Sequence, residues 1–361
     1  MKGSRKGAIC FRISAIVPAS RTTGASFYSD KLYTRLPAEQ VSAKGSPVLL
    51  IKRLFRKKTD LYHIQFEYRG FGSFPKSLAL LSLLSIILSA RRSVVITLHG
   101  IITRDASRGI VGFGSYFAFL IAVRLAAFFA TTIVVHSTLM KRILTEQYHV
   151  HNVTMIPHGT DVDHVGTTRS PKKNHLLFFG FVRPSKGIEN LIESVAVLRE
   201  ELPDIMLTVA GTIARPEERG YAEGLRETVA QLGVSNNVVF KTGLLGVMDR
   251  DSLAAEAECL VLPYTDKFVE VSGVVHDFAG YGIPLVCTDV PRFSEMVNEY
   301  DCLKVAPGAE GLADAISRIL SHPSIGKMLA ANLRLRAREQ SWDVVALQHL
   351  SLYRRCINGE A

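Results

Sequence analysis

The chain has 361 residues, 47% hydrophobic and 21% charged, with no low-complexity tract. That excludes a disordered, collagenous or coiled-coil protein and, at roughly 150 residues per domain, points to two domains. The net charge of +10 is uneven: residues 1–168 carry 22 Lys and Arg against 8 Asp and Glu, a balance of +14, and the remainder carries 21 against 25, a balance of −4. A basic first half implies an anionic partner, with nucleic acid, a phospholipid surface or a phosphorylated substrate as the options.

Residues 1–20 have a basic start and a small-residue end, but Arg12 interrupts the apolar run, so residues 8–17 read as a first strand and not as a signal peptide. Short runs rich in Val, Ile and Leu follow at 47–51, 94–98, 133–135, 176–179, 206–210, 238–240, 259–262 and 285–287, separated by helix-length segments. Strands alternating with helices predict parallel sheets covered on both faces. Residues 157–174, with Pro, Gly, Asp, Thr and a Lys pair, read as a hinge between two doubly wound domains.

Two segments imitate membrane spans. Residues 77–90 are uncharged but number only 14, short of the roughly 20 needed to cross hydrocarbon. Residues 110–135 are long enough but carry Arg124 near the middle and end in a strand-like Ile-Val-Val. Residues 116–129 leave two readings: a helix buried beneath the sheet, or a surface helix that rests on an anionic membrane with Arg91, Arg92, Arg104, Arg108, Lys141 and Arg142. Five cysteines without a CxxC pair indicate neither a zinc site nor a disulfide framework, and favour a reducing compartment.

The sequence LFFGFVRPSKG at 177–187 ends a strand and leads through Arg183 and Lys186 into a helix expected to begin near Lys186. Unpaired N–H groups, the positive end of the dipole and two cations would hold a diphosphate there. About 85 residues on, VSGVVHD at 271–277 opens a helix with Ser272 and Gly273 and carries Asp277 about one turn past Gly273, where a carboxylate could accept from a ribose diol. Read locally, these are solvated loop cations, an N-cap and a surface acid.

The two stretches, in this order, resemble the nucleotide-sugar-binding domain of the family-4 retaining glycosyltransferases. Other pieces agree: TLHG at 97–100, DLYHIQFEYRGFG at 60–72, VVHS at 134–137, IPHGTD at 156–161 and Ser341-Trp342 before a final helix. The resemblance implies an α/β chain of GT-B fold, two Rossmann-like doubly wound domains facing each other across a cleft. Its boundaries would be 1–168 for the acceptor-binding domain, 169–340 for the donor-binding domain, and 341–361 for a helix crossing back to the first.

By resemblance, Lys186 binds the donor diphosphate, Ser272, Gly273 and Val274 offer backbone contacts, and Asp277 stands at the donor ribose. The family's first Glu falls at Val269, with Glu270 as its neighbour and doubtful substitute. Phe181 replaces the Arg that usually follows the phosphate-loop glycine, and Arg183 is the stand-in. Gly24 in PASRTTGAS at 18–26 matches one of two loop glycines that approach the donor, and His99, at a strand end, would face the reacting sugar. His63, Glu67, His136 and His158 are read as shaping acceptor or hinge contacts.

The implied reaction transfers a hexose from a nucleoside diphosphate sugar to a hydroxyl with retention. Lys186 and Arg183 would stabilise the leaving diphosphate, no cofactor or metal is required, and domain closure would exclude water. The expected partners are the donor and a glycan or lipid-linked acceptor of polysaccharide or lipopolysaccharide assembly, with an anionic membrane surface as a further candidate and no nucleic acid. The expected location is the cytoplasm, peripheral at the inner membrane face. A nucleotide-sugar epimerase and a catalytically silent GT-B subunit are the competing readings.

Overall fold

The computed structural model describes residues 11–19, 23–68, 70–105, 110–162, 164, 169–213, 216–243, 246–293 and 296–360. The start of the expected first strand, hinge residues 163 and 165–168, and Arg108 lie outside them. The chain divides into two compact units, one of Met1–Gly159, Phe268–Val271 and Trp342–Ala361, the other of Thr160–Lys267 and Ser272–Ser341.

In chain order the first unit holds β1 (Ile13–Val17), α1 (Gly24–Tyr33), β2 (Ala38–Ser42), α2 (Pro47–Phe55), β3 (Leu61–Phe66), α3 (Phe74–Ser89), β4 (Ser93–Leu98), β5 (Gly100–Ile101), α4 (Ile110–Phe129), β6 (Thr132–Val135), α5 (Thr138–Glu146) and β7 (Val153–Met155). The second holds β8 (His175–Phe181), α6 (Ile188–Leu198), β9 (Met206–Thr212), α7 (Arg219–Gln231), β10 (Val238–Thr242), α8 (Val247–Glu256) and β11 (Cys259–Leu262). After β12 (Val269–Glu270), which belongs to the first unit, come α9 (Gly273–Phe278), β13 (Leu285–Thr288), β14 (Leu303–Val305), α10 (Ala309–Ser321) and α11 (Pro323–Glu339). The last helix, α12 (Trp342–Asn358), returns to the first unit.

Each unit carries a six-stranded parallel sheet, in the orders β2-β1-β3-β4-β6-β7 and β10-β9-β8-β11-β13-β14. Both sheets are Rossmann-like, and the α/β reading of the sequence holds. In the first, the strand order reverses between β1 and β3; in the second, between β8 and β11. Such reversals open a crevice at the carboxyl ends of the strands, where ligands of open α/β sheets bind. One face of the first sheet buries Ile64, Ile96 and Ile133 under α2, α3, α4 and α5, and the other buries Ala15, Val95 and Val134 under α1 and α12.

Residues 47–51, expected as a strand, form the start of α2. Ser46 caps it by accepting from Leu49 N at 3.3 Å, Pro47 fills the first turn, and Leu50 and Leu54 turn one face to the core. The helix expected near Lys186 begins two residues on: Pro184–Lys186 is a short 3-10 turn, Gly187 adopts a left-handed conformation at φ +60°, and α6 starts at Ile188. Residues 116–129 satisfy half of each reading offered for them. Phe119, Val123 and Ala126 are buried against the sheet, whereas Phe117, Ile121 and Phe128 face outward.

Gly211 on β9 lies opposite Gly180, and a Cβ built on it would stand 1.8 Å from the Gly180 carbonyl oxygen. Gly211→Ala should therefore cost the second unit about 1–3 kcal/mol through forced displacement of the β8 end. Differential scanning calorimetry should record a melting midpoint lower by about 2–4 °C per kcal/mol; an unchanged midpoint would mean that the strand end yields freely.

Candidate functional site

At the β8–β11 reversal, the loop after β8 is fastened to the loop after β11. Thr265 N donates to Ser185 O at 3.2 Å, and a Cβ at Gly187 would meet Pro263 O at 2.1 Å, so only glycine fits this left-handed position. The fastening turns Lys186 inward. It is 5% exposed, and its Nζ sits 3.5 Å from the centroid of the Tyr264 ring. A cation over a buried aromatic face is attracted by the ring quadrupole. Burial pushes the Tyr264 phenol up to about 12, against the lowering effect of its hydrogen bond with Ser272, so the ring stays neutral.

Tyr264 also links the two sequence stretches. Its hydroxyl lies 3.4 Å from Ser272 Oγ, and the Arg292 guanidinium lies 5.5 Å from its ring while pairing with Asp266 at 2.9 and 3.1 Å. A Cβ at Gly180 would lie 3.5 Å from a Val274 methyl, and the Phe179 and Phe278 rings are 4.9 Å apart. Lys186, Ser272 and Val274 thus gather at one strand-end crevice. Nothing lies within 4 Å of a Cβ built on Gly273, which leaves its backbone approachable. Arg183 starts the 3-10 turn, with its guanidinium carbon 5.8 Å from the ring of Phe181, the residue that replaces the expected arginine.

Asp277 stands 3.6 Å from Arg250 Nη1, which also pairs with buried Asp161 at 3.1 Å, while Arg250 Nε donates to Tyr281 OH at 3.2 Å. Its carboxylate is therefore oriented by an arginine from α8, a residue that sequence reasoning missed. Tyr264 was missed too. Neither belongs to a glycine-bearing motif, and both reach the site through packing distant in sequence.

The first unit carries a second cluster. His99 follows β4 directly, and its Nε2 donates to Gln65 Oε1 at 2.8 Å. His136 Nδ1 donates to Ile156 O at 3.0 Å, and its Nε2 lies 3.3 Å from His99 Nδ1. As both imidazoles donate outward, the contact between them lacks a hydrogen; an added proton, or a turn of the Gln65 amide, completes it. Burial, reinforced by the neighbouring histidines, holds His99 well below the usual imidazole range and His136 down to about 3, so the pair is neutral at pH 7.

Glu270 joins this cluster. On β12 it pairs antiparallel with Gly100, the residue after His99, and a Cβ at Gly100 would lie 3.4 Å from its Oε2. Val269 points into the core of the first unit at 5% exposure, which explains an apolar residue where the family pattern has a carboxylate. Gly24 opens α1 with nothing within 4 Å of a Cβ built on it, and the adjacent Ala25 N–H donates to Glu67 at 3.2 Å. His63, expected to shape acceptor or hinge contacts, is fully buried among Tyr33, Tyr353 and Thr97, at 2.8, 2.6 and 2.7 Å. A strand-centre position, with both ring nitrogens engaged, keeps it in the core.

Residues 173–322 match the family model described as "Glycosyl transferases group 1". Among curated relatives, the D-inositol 3-phosphate glycosyltransferase of Jonesia denitrificans is 25% identical over 204 residues, covering 55% of this chain and 47% of that protein. The phosphatidyl-myo-inositol mannosyltransferase of Mycobacterium leprae is 25% identical over 207 residues, covering 55% and 52%. The chain thus spans about half the length of the curated relatives it matches. Among solved structures, Anabaena HepE in complex with UDP and glucose superimposes with a TM-score of 0.75 at 18% identity, covering 95% of this chain and 99% of that one. Sucrose-phosphate synthase of Thermosynechococcus elongatus does so with 0.73 at 18% identity, covering 97% and 100%. At these identities the structural likeness speaks to the fold, which is that of the GT-B enzymes.

Proposed function

We propose that the chain, whose residues 173–322 match the glycosyl transferases group 1 family model, moves a hexose from a nucleoside diphosphate sugar to a hydroxyl, with retained anomeric configuration. The observation that supports this best is the β8–β11 crevice, where a buried lysine over a neutral tyrosine stands beside the Ser272 and Val274 segment. A diphosphate is the group such a site suits: the lysine supplies full charge, and the approachable backbone at Gly273 supplies donors.

In this reading the bond from the anomeric carbon to the diphosphate oxygen breaks as the acceptor oxygen bonds to that carbon on the same face. The acceptor proton passes to a phosphate oxygen of the departing group. Lys186 and Arg183 stabilise the charge that gathers on the diphosphate, with no metal ion sharing the task, and Asp277, oriented by Arg250, receives the ribose hydroxyls. His99 and Glu270 are assigned to the reacting sugar, and the backbone at Gly24 to the donor. The acceptor is a glycan or lipid-linked glycan of polysaccharide or lipopolysaccharide assembly, and the reaction runs in the cytoplasm or at the inner membrane face. The basic first unit and a relative named for phosphatidyl-myo-inositol support that choice.

Melting in the presence of UDP, GDP, ADP or dTDP tests the donor site, and the UDP held by HepE makes UDP the first to try. Selective binding at a hundredfold excess over Kd should stabilise the protein by about 2.7 kcal/mol, and Lys186→Ala should abolish the shift. No shift with any diphosphate, in a folded sample, would overturn the reading in favour of a silent subunit.

A further inference from the structure

Helix α4 is apolar on both sides. Tyr116, Phe119, Val123 and Ala126 turn into the core beneath the sheet, while Phe113, Phe117, Ile121, Leu125 and Phe128 turn outward, with Ile121 62% and Phe128 82% exposed. At 100° per residue the outward positions fall within an arc of about 120°, a continuous stripe about 23 Å long in which Arg124 is the one charge. A helix between a core and water should carry a polar outer face. On α3, packed beside α4, the outward Leu83 and Ile86 extend the apolar surface, and α2 exposes Val48 and Leu49.

The charge of this layer is one-sided. The 45 residues of α2, α3 and α4 include no Asp or Glu. Between Lys44 and Arg124 the sequence has 13 Lys and Arg against three carboxylates, of which Asp60 pairs with Arg12 and Glu67 accepts from the first turn of α1. Lys44, Lys52, Arg53 and Arg56 line one basin with Leu49, and Arg91, just beyond α3, lays its guanidinium 3.7 Å over the Phe55 ring. Cations thus gather on α2 and at the end of α3, the helix packed beside α4.

We propose that α2, α3 and α4 form a docking surface for an anionic phospholipid bilayer, with the outward stripe of α4 entering the boundary between headgroups and acyl chains and the cations of α2 meeting lipid phosphates. A second copy of the chain would bring two cationic surfaces together, which repels. Charge complementarity selects an anionic occupant, and the uninterrupted stripe selects one that accepts bulky apolar side chains along the length of a helix. Because the inner face of α4 is committed to the core, the helix lies in the membrane plane and does not cross it. The inference is independent of the transfer reaction.

Flotation of the full chain, without donor or acceptor, tests it on vesicles of phosphatidylglycerol and phosphatidylcholine in equal parts, with phosphatidylcholine vesicles as the comparison. The chain should float with the mixed vesicles, release as salt rises, and bind phosphatidylcholine alone far less. Ile121→Glu combined with Phe128→Glu should weaken partition at least tenfold, and Lys52→Ala and Arg56→Ala about fivefold each. These positions are exposed, so the variants should keep the wild-type melting midpoint, which serves as the folding control. Equal flotation with both vesicle types, or wild-type partition by the Glu variant, would overturn the proposal. So would a concentration-dependent dimer that the Glu variant dissolves, because the face would then belong to a second copy.

Discussion

Lys186→Ala is expected to lower the turnover number for sugar transfer by about a hundred- to a thousandfold, the loss typical of removing one preorganised donor from a charge-stabilising site. The lysine is desolvated, held over the Tyr264 ring and fixed by the contacts of Ser185 and Gly187 with the loop after β11. A charge in that setting needs no reorganisation as the diphosphate departs. Lys186→Met, which keeps the aliphatic stem over the ring, separates chemistry from packing: its melting midpoint should stay near wild type while turnover falls as in the alanine variant. Turnover within threefold of wild type in the methionine variant would remove Lys186 from the reaction.

Acid should unfold the first unit well before the second. His136 and His349 are buried, with their imidazoles pushed down to about 3 and about 4, chiefly by burial, and His63 is held well below the usual range for the same reason. Each folded-state value lies below that of the unfolded chain, so between about pH 6.5 and the folded value the unfolded state binds more protons. Stability is then full above about pH 6.5 and lost as pH falls, by about 1.4 kcal/mol per pH unit for each group. For His136 and His349 together the loss from pH 6.5 to pH 5 is about 3 kcal/mol. The chain's single tryptophan, Trp342, is buried in the core of this unit, so its fluorescence in denaturant titrations reports the transition directly. His349→Leu should flatten the slope by one group's share. A midpoint constant from pH 7 to pH 5 would contradict the assignment.

What could be read from the chain followed from how each element is buried. β6 and β11 are buried throughout and β4 from Val94 to Leu98, and their Val-, Ile- and Leu-rich runs are visible without a structure. β2 is an edge strand whose sequence AEQVS buries only Val41, and it offers no such run. Residues 47–51 carry their own helix signal, Ser46 followed by Pro47, which the apolar run of the segment masks. At the site, Lys186, Ser272 and Gly273 sit in glycine-bearing turns that announce themselves locally. Arg250 and Tyr264 come from a helix and a loop whose neighbours depend on strand order, and so do Gln65 and His136, which meet His99 only because β3, β4 and β6 are adjacent. Val269 shows the limit from the other side, because its departure from the family pattern is a matter of core packing in the first unit.

The first unit is assembled from three separated stretches of chain, and this sets an order of folding. Trp342, Val345, Leu352 and Tyr353 complete the core beneath α1, yet they are synthesised after every residue of the second unit. During synthesis the second unit can close on itself while the first waits, its sheet uncovered on the α12 side. The half of the protein that leaves the ribosome first is therefore the half that finishes last, and it is exposed to aggregation for the longer time.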